Sequence, residues 1–199
     1  MTSLSRFTPA ASRTIVQASL HAADDGFAVL APEFLLLALA DVRPLAGRPQ
    51  GIGITRAVVR REIAGKPAMT RSNRDRELLA ALGIDADDIR RRAARATGVR
   101  PDDPALWTLH RSRLRPLRLT LRGPATNAAL SGASRKVIEV ATWACRRGHR
   151  TKPDSEDLLW GLLADGSSPA VHILRRLDVN LKALWTDLQR WHTAAGPNA

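Results

Sequence analysis

Few side chains in this chain of 199 residues are spaced for catalysis or metal binding. Cys145 is the only cysteine, so the chain can form neither an internal disulfide nor a zinc site built on several thiolates. It falls among apolar positions of a predicted helix, which favours a buried thiol over a nucleophile. The five histidines are scattered, and none stands four residues from another beside a carboxylate. We therefore expect no metal, no cofactor and no cysteine nucleophile.

A loop that binds ATP for hydrolysis is not expected either. Such a loop reads Gly-x-x-x-x-Gly-Lys-Ser/Thr, because its amides hold phosphates and its hydroxyl binds magnesium. The nearest match is Gly65-Lys66-Pro67, which lacks both the upstream glycine and the hydroxyl. The sequence thus predicts a protein that does not hydrolyse ATP.

The positive charge of the chain is concentrated in its middle. The formal net charge is +12, from 31 basic and 19 acidic residues. Residues 1–41 carry two basic and four acidic side chains and residues 139–199 carry eight and seven, which leaves 21 and eight for residues 42–138. This middle section either attracts phosphate or an acidic partner, or is a solvated face. The candidate nucleic-acid contacts within it are Arg111, Arg113, Arg115, Arg118 and Arg122.

No membrane segment or secretion signal is expected. The longest apolar stretches are shorter than the roughly 20 residues that a membrane-spanning helix needs. The N-terminus lacks the basic and then apolar order of a signal peptide. The sequence therefore predicts a cytoplasmic protein.

One segment of the sequence occurs twice. The stretch from Phe7 to Leu39 recurs from Leu130 to Leu162, with a constant offset of 123 residues. Each copy begins with an apolar residue and a hydroxyl, and later carries a glutamate before a leucine-rich run. A repeated helical unit, rather than a catalytic set of side chains, is therefore the main feature of the chain.

Helix signals follow one plan in both copies. Thr8 and Pro9 predict an N-cap and a first helical residue, and Gly26 predicts the end of that helix. Ser131 and Gly148 bound the corresponding helix of the second copy. The further predicted helices are Pro32 to Leu39, Glu77 to Leu82 and Asp85 to Thr97 in the first copy, and Glu156 to Leu163, Ala170 to Leu177 and Asn180 to Trp191 in the second. We predict an all-α fold in which two pseudo-symmetric four-helix repeats pack as one domain.

Two irregular basic segments separate the predicted helices. At the third helix the offset between the copies falls to 95, so the first copy carries 28 extra residues, within about residues 42–74. That insert is rich in proline and glycine and has one short predicted helix, Thr55 to Ile63. In the linker, Leu114 to Leu121 alternates arginine with leucine and is either a strand-like arm or plain linker. The predicted units are repeat 1 at residues 7–97, the linker at residues 98–129 and repeat 2 at residues 130–191.

The repeated pattern resembles the double Clp-N repeat, the N-terminal substrate- and adaptor-binding domain of the Clp family of AAA+ unfoldases. The shared features are Phe-Thr, an amphipathic helix, Glu before Leu-Leu-x-x-Leu, and a small helix ending in Leu-Gly-Ile. They cover residues 7–41, 75–97 and 130–191, and are most similar to the ClpC branch of Gram-positive bacteria and actinobacteria. Because the chain ends just after the second repeat, we expect a stand-alone domain without ATPase modules.

The resemblance implies a phosphoarginine site in each repeat. In the ClpC branch, one glutamate per repeat engages the guanidinium, and nearby hydroxyl or amide groups engage the phosphate. The matching positions are Glu33 and Glu156 for the guanidinium, and Thr8 and Ser131 near the phosphate. The family's Gly-Thr-Glu-His is not kept around either glutamate here. The alternative interpretation is that all four are ordinary helix-start residues, as caps and as acids at the positive helix end.

The resemblance also implies a hydrophobic groove between the repeats, used in the family by adaptor proteins and by cyclic peptide antibiotics such as cyclomarin. The groove candidates in this sequence are Phe7, Leu130, Arg13 and Lys136. The tryptophans on predicted helices, Trp143, Trp160, Trp185 and Trp191, are expected in the core. Trp107 in the linker is expected at the surface.

Three classes of function follow, in order of preference. The first is a non-enzymatic binding protein that recognises peptides, arginine-phosphorylated proteins or cyclic peptide antibiotics, as an adaptor, a decoy or a sequestering protein. It would be linked to Clp proteolysis, with a Clp unfoldase or protease component as a further partner. The second is a ligand-responsive regulator that binds DNA through the basic middle section. An enzyme comes third, because catalytic groups can converge from distant positions.

Overall fold

The computed structural model describes residues 2–42, 55–64, 81–83, 88, 92, 100–111 and 119–194. Within these ranges the chain is mainly helical, and each helix is named here in chain order. The helices are α1 Pro9–Asp24, α2 Pro32–Val42, α3 Arg56–Ala64, α4 Gly132–Arg147, α5 Ser155–Leu163, α6 Pro169–Arg176 and α7 Leu181–Ala194. The short helix expected in the insert is confirmed as α3.

The first helices of the two copies, α1 and α4, begin and end at the same offset of 123 residues. The side chain of Thr8 caps α1 by accepting a hydrogen bond from the amide of Ala11 at 3.3 Å. Ser131 caps α4 in the same way, from the amide of Ser134 at 3.0 Å. Each cap satisfies an amide that would otherwise lack a partner within the helix. The predicted N-caps of these two helices are confirmed.

The core is continuous across both copies. Helix α2 is buried along almost its whole length, from Phe34 through Ala40, as its apolar sequence predicts. It packs against α1 in its own copy and against α4, α5 and α6 of the other. Within the second copy, α4 and α5 approach closely at Gly161, where an added Cβ atom would lie 2.4 Å from the carbonyl oxygen of Val137. Both central helices therefore lie in one shared core.

The prediction of an all-α fold is wrong in one respect, because a small sheet accompanies the helices. Its strands are β1 Thr2–Ser3, β2 Val29–Leu30, β3 Thr108–Arg111, β4 Leu119–Arg122 and β5 Asn127–Leu130. They lie in the order β1-β3-β4-β5-β2, with antiparallel pairing except between β2 and β5, which are parallel. Strands of two to four residues are too short to show a hydrophobic period, and their partners come from distant parts of the sequence. The linker that was expected to be irregular thus contributes three strands.

The expectation that Trp107 is exposed is also wrong. Trp107 is only 1% exposed, and its indole Nε1 donates a hydrogen bond to the carbonyl oxygen of Pro101 at 2.7 Å. Its ring lies directly on Gly123, where an added Cβ atom would be 2.1 Å from the indole. The short 3-10 helix Pro104–Leu106, directly before Trp107, contacts α1, so this part of the linker packs on the first helix of the chain.

Part of the predicted plan lies outside the described residues. The third and fourth helices of the first copy, expected over residues 77–82 and 85–97, fall there apart from residues 81, 82, 88 and 92. Most of the insert over residues 42–74 does so as well. Among the residues that are described, no helix is both long enough and apolar enough to cross a membrane. The same residues contain no group of three or more His, Cys, Asp or Glu side chains that could hold a metal ion.

Candidate functional site

Each copy begins its first helix against the segment that leads into the second helix of the other copy. The amide of Thr8 donates to the carbonyl oxygen of Pro153 at 3.0 Å, and the amide of Ser131 donates to that of Leu30 at 3.0 Å. The two contacts are related by the same offset of 123 residues that relates the sequences. They form two equivalent junctions between the repeats. The two junctions differ in the elements that pack around them.

The junction of Ser131 with Leu30, named here the covered junction, is closed by the sheet. Strand β2 pairs with β5 there, with Leu30 opposite Leu130. The hydroxyl of Ser134 also donates to the carbonyl oxygen of Leu30, at 2.8 Å. Leu30 and Leu130 are both buried. Leu130, a predicted groove residue, therefore lies within the closed side of the molecule.

The junction of Thr8 with Pro153, named here the open junction, has no strand pairing. Proline has no N–H group, so Pro153 cannot continue a ladder as Leu30 does. Side-chain contacts replace the strands: the Thr8 hydroxyl donates to Asp154 Oδ1 at 2.6 Å. Asp154 caps α5 together with Asp157, whose Oδ2 accepts from the amide of Asp154 at 2.7 Å. The surface beside this junction remains open.

A cleft of about 450 Å³ lies beside the open junction and is named here the inter-repeat cleft. Its floor is apolar, and its rim carries the exposed cations Arg6, Arg146 and Lys152. Predicted groove residue Phe7 lines it. The other apolar lining residues are Leu109, Leu119 and Ile138. A cleft of this size is within the range of about 300–1,000 Å³ that is usual for ligand sites.

Three of these lining residues were not among the candidates from the sequence. Leu109 and Leu119 lie on β3 and β4, in the segment interpreted as linker. The signal for Leu119 is the alternation Leu-Thr-Leu-Arg over residues 119–122, which has the period of a strand. Ile138 lies one turn before Thr142 on α4, so the two share one helix face.

Cys145 lies at the floor of the inter-repeat cleft and is almost fully buried. Its Sγ atom donates to the carbonyl oxygen of Arg150 at 3.2 Å. Burial is the main cause that raises the pKa of the Cys145 thiol, and the nearby Asp157 adds to it. Because the thiolate is the reactive form, this thiol is a packing group.

The four residues of the implied phosphoarginine sites lie at the two junctions. Thr8 lies at the start of α5, the helix that carries Glu156, and Ser131 lies beside the strand that leads into α2, the helix that carries Glu33. Glu33 and Glu156 are only 6% and 3% exposed. The hydroxyl of Ser155 donates to Glu156 Oε2 at 3.0 Å. The structure thus pairs a hydroxyl of one repeat with the carboxylate-bearing helix of the other.

The predicted basic candidates are separated from one another. Arg13 is exposed, with its Nε atom 3.4 Å from the carbonyl oxygen of Pro9, and Lys136 pairs with Asp165 at 3.4 Å. Neither Arg13 nor Lys136 is among the residues that line the inter-repeat cleft.

The five arginines named as candidate nucleic-acid contacts lie on the linker strands or outside the described residues. Arg111 and Arg122 are exposed at opposite ends of the β3–β4 ladder, opposite Leu119 and Thr108 respectively. Arg113, Arg115 and Arg118 lie outside the described residues. The two described arginines of this set are therefore exposed at different ends of one hairpin.

A second cleft, of about 530 Å³, lies on the other side of α4 and is named here the tryptophan cleft. It is lined by Trp143, Arg147, Trp160, Gln189, His192 and Thr193. The expectation that Trp143 belongs to the core is wrong, because its side chain is 53% exposed. The buried face of α4 contains Val137, Ala141 and Ala144, and Trp143 lies on the opposite face with Glu139 and Arg147.

A buried cluster of charged groups lies behind the tryptophan cleft. Arg150 donates two hydrogen bonds to the fully buried Asp157, at 2.7 and 2.6 Å. Arg150 Nη2 also lies 3.1 Å from His192 Nδ1, a geometry that requires the neutral imidazole to accept. Burial is the main cause that lowers the pKa of His192; the charge of Arg150 adds to it and Asp157 opposes it. The cluster attaches the end of α7 to α5.

Comparison with known proteins identifies the fold. No protein-family profile matches the sequence, and no curated protein matches it. Among solved structures, the chain is similar to the N-terminal domain of the caseinolytic protease associated chaperone ClpD from Arabidopsis thaliana, with a TM-score of 0.55 and 19% sequence identity. The match covers 94% of this chain and 96% of that chain. The fold is that of a Clp N-terminal domain, which confirms the resemblance predicted from the repeat.

Proposed function

We propose that this chain, which has the fold of a Clp N-terminal domain, is a non-enzymatic, cytoplasmic protein that binds peptides in the inter-repeat cleft. The observation that carries the proposal is the combination of an apolar floor with a cationic rim at the open junction. Burial of apolar side chains supplies the affinity of such a site, and a few charged groups select the ligand.

The lining chemistry determines which peptides fit. Phe7, Leu109 and Ile138 offer apolar contact to a hydrophobic side chain. Arg6 and Lys152 at the rim favour a negative charge beside it, from an acidic residue or a phosphate. Peptides that combine an apolar side chain with a negative charge are therefore the preferred ligands, and neutral cyclic peptides such as cyclomarin are the second class.

Proteins phosphorylated on arginine are a special case, because they would bind at the two junctions, whose four candidate residues do not line the inter-repeat cleft. In this case Glu33 and Glu156 accept hydrogen bonds from the guanidinium, while Thr8 and Ser131 lie near the phosphate. Because both carboxylates are buried, the ligand has to open the junction to reach them. At the open junction this opening breaks the hydrogen bond between Thr8 and Asp154.

The biological role that suits such a site is recognition without chemistry. A protein that binds peptides without chemistry of its own serves as an adaptor that delivers them to a Clp unfoldase or protease. Alternatively, it serves as a decoy that sequesters a cyclic peptide antibiotic. Tightest binding of an acidic peptide favours the adaptor role, and tightest binding of a cyclic peptide favours the decoy role.

The test is calorimetric titration of the full chain with three probes: free phosphoarginine, a cyclomarin-like cyclic peptide, and a short peptide with one leucine between two glutamates. Arg146→Glu reverses a charge at the rim of the inter-repeat cleft. Arg147→Glu is the matched control, because it makes the same change on the same helix turn but lines the tryptophan cleft. We expect Arg146→Glu to weaken the acidic peptide at least tenfold and Arg147→Glu to leave it within twofold.

A second pair of variants tests the carboxylates. Loss of phosphoarginine binding in both Glu33→Ala and Glu156→Ala supports the special case, provided that both variants keep the wild-type circular dichroism spectrum. Binding of the cyclic peptide alone supports the sequestering role. The proposal is wrong if none of the three probes binds, or if Arg146→Glu and Arg147→Glu weaken the acidic peptide equally.

The alternative function is a regulator that binds DNA through the basic middle section. Exposure of Arg111 and Arg122 on the linker strands favours it. Neutralising each phosphate releases counterions, so the affinity for a DNA duplex should fall steeply with added salt. In the combined variant Arg111→Gln and Arg122→Gln, that slope should decrease. An unchanged slope excludes these two contacts.

A further inference from the structure

The tryptophan cleft has the most exposed aromatic side chain of the molecule. All five tryptophans are described, and Trp143 is the one that is more than half exposed. Exposure of a side chain this large costs free energy, because its apolar area stays in contact with water. Trp143 nonetheless lies at the mouth of a cleft of about 530 Å³ rather than on a convex surface. An open aromatic face beside a cavity is suited to stacking on a flat ligand.

The opposite wall of the tryptophan cleft is built from packed rings. The Trp160 ring lies 4.0 Å from that of Trp185, measured between centroids, and 4.6 Å from that of His192, which meets it edge-on. Arg150 Nη2 lies 3.1 Å from His192 Nδ1, and this contact fixes the position of the imidazole. These contacts fix one wall of the cleft, so a ligand meets one preformed face and the exposed ring of Trp143.

The polar groups of the tryptophan cleft select for negative charge. The Arg147 guanidinium carbon lies over one face of the Trp143 ring, 5.3 Å from its centroid, so a planar ligand would stack on the other face with this cation close by. Gln189 and Thr193 add an amide and a hydroxyl at the end of α7. No carboxylate lines the cleft among the residues that the structure describes. A cationic ligand is therefore disfavoured, and an anionic one with a planar ring is complementary.

We propose that the tryptophan cleft binds a nucleotide, with its base stacked on Trp143 and its phosphate paired with Arg147. A phosphate monoester carries a charge of about −1.5 to −2 at neutral pH and the phosphodiester of a single strand about −1, and the oxygens of both suit pairing with a guanidinium. The Gln189 amide can both donate to and accept from the edge of a base. The same chemistry comes from a free mononucleotide or from an unpaired nucleotide of a single strand. This site is separate from the inter-repeat cleft and needs no P-loop.

The test uses quenching of tryptophan fluorescence and fluorescence anisotropy with the full chain. The probes are thymidine 5′-monophosphate, adenosine 5′-monophosphate, ribose 5-phosphate, phenylacetate and a labelled 12-nucleotide oligothymidine. We expect both nucleotides to bind more tightly than ribose 5-phosphate and phenylacetate. If the oligonucleotide binds at least tenfold more tightly than the mononucleotide, the ligand of the cleft is a nucleotide of a single strand. If the two affinities are equal, the ligand is the free nucleotide.

Two variants and their controls decide the placement. Trp143→Leu keeps an apolar side chain but removes the stacking face, and should weaken nucleotide binding by about fivefold to a hundredfold, whereas Trp143→Phe should retain part of it. Arg147→Gln should weaken both nucleotides and lower the slope of log affinity against log salt by about 0.7 for the single strand. Arg175→Gln changes an exposed arginine that lines neither cleft, and should leave the nucleotide affinity and its salt slope unchanged.

Because Trp143 and Arg147 are exposed, none of these variants should alter folding, and equal urea midpoints check this. The proposal is overturned if Trp143→Leu binds nucleotides as the wild type does. It is also overturned if phenylacetate binds as tightly as the nucleotides, which would reassign the cleft to aromatic carboxylates.

Discussion

The two junctions between the repeats begin with the same hydrogen bond and end as different surfaces. At the covered junction Leu30 continues into a strand that pairs with β5, and the sheet closes that side. At the open junction the equivalent residue is Pro153, which has no N–H group to donate, and the surface beside it is a cleft. The residue type at this position of the symmetric pair is therefore one difference between the closed side and the candidate binding side.

A second difference lies at the third residue of the central helices. In the first copy this residue is Phe34, which packs against Phe27 with ring centroids 5.2 Å apart. In the second copy it is Asp157, which is fully buried and binds Arg150 and the amide of Asp154. The same position is apolar in one repeat and charged in the other. Stability should respond differently in the two repeats to loss of charge and to acid.

We expect Asp157→Ala to cause the largest loss of stability. Removing this fully buried carboxylate leaves the part-buried charge of Arg150 without its partner and deletes half of a capping box, which should cost about 3 kcal/mol of stability. The measurement is the free energy of unfolding from urea titration followed by circular dichroism. Glu139→Ala, an exposed carboxylate 3.5 Å from Arg135, is the control and should cost less than about 0.5 kcal/mol. Similar costs for both variants would show that the buried cluster adds no stability.

We expect the next largest loss of stability from Leu30→Pro, a variant that tests the covered junction. Leu30→Pro places at this junction the residue type that the open junction has, and removes the N–H group of a buried strand. We expect a cost of about 1–3 kcal/mol from the unsatisfied partner alone. Hydrogen exchange should report faster exchange of the β5 amides. Val29→Ala, at a half-exposed neighbouring position of the same strand, serves as the control. If β5 remains fully protected in Leu30→Pro, then the pairing of β2 does not close this side.

A smaller effect compares the two helix caps. Thr8→Val removes both the cap of α1 and the 2.6 Å hydrogen bond to Asp154, whereas Ser131→Ala removes the cap of α4. We expect about 2 kcal/mol for Thr8→Val and about 1 kcal/mol for Ser131→Ala. Parallel urea titrations of the two variants measure the difference. A larger cost at Ser131 would contradict the importance assigned here to the contact across the open junction.

The smallest expected effect is a pH dependence of stability that comes from His192 in the second repeat. Burial holds the pKa of folded His192 below its ordinary value of about 6.5, so the folded state favours the neutral imidazole. This contribution to stability is fully present above pH 6.5 and is lost as the pH falls through the lowered pKa. Unfolding midpoints at pH 7.5 and pH 5 should therefore differ less in His192→Asn than in the wild type. An unchanged difference would assign the acid sensitivity to other groups.

Much of the helical plan was predictable from local signals. Thr8-Pro9, Ser131 and Ser168-Pro169 are N-cap signals that depend on neighbouring residues alone, and the structure caps helices at all three. The constant offset of 123 residues predicted that both copies build the same helices, and the matching bounds of α1 and α4 confirm this for the first helix of each copy. The site was predicted in part: Phe7 lines the inter-repeat cleft, whereas Leu109 and Leu119 were not foreseen.

The two tryptophans that were assigned wrongly show why the rest was not predictable. Trp107 has no helical period around it, yet a distant glycine, Gly123, leaves room for its ring and buries it. Trp143 occupies an apolar position on a helix whose core face lies elsewhere, so it is exposed. Burial of a large side chain depends on which remote segment covers it, and a single sequence contains no direct signal for that.

The sequence by itself determined the repeat, the N-caps of α1, α4 and α6, and the absence of a second cysteine. These follow from residue types and their spacing along the chain. Only the tertiary structure decided which junction is open, which strands the linker forms and which side of α4 each arginine faces. The physical reason is that strand pairing, burial and cleft formation need partners that are distant in sequence, whereas helix capping and periodicity need only neighbours.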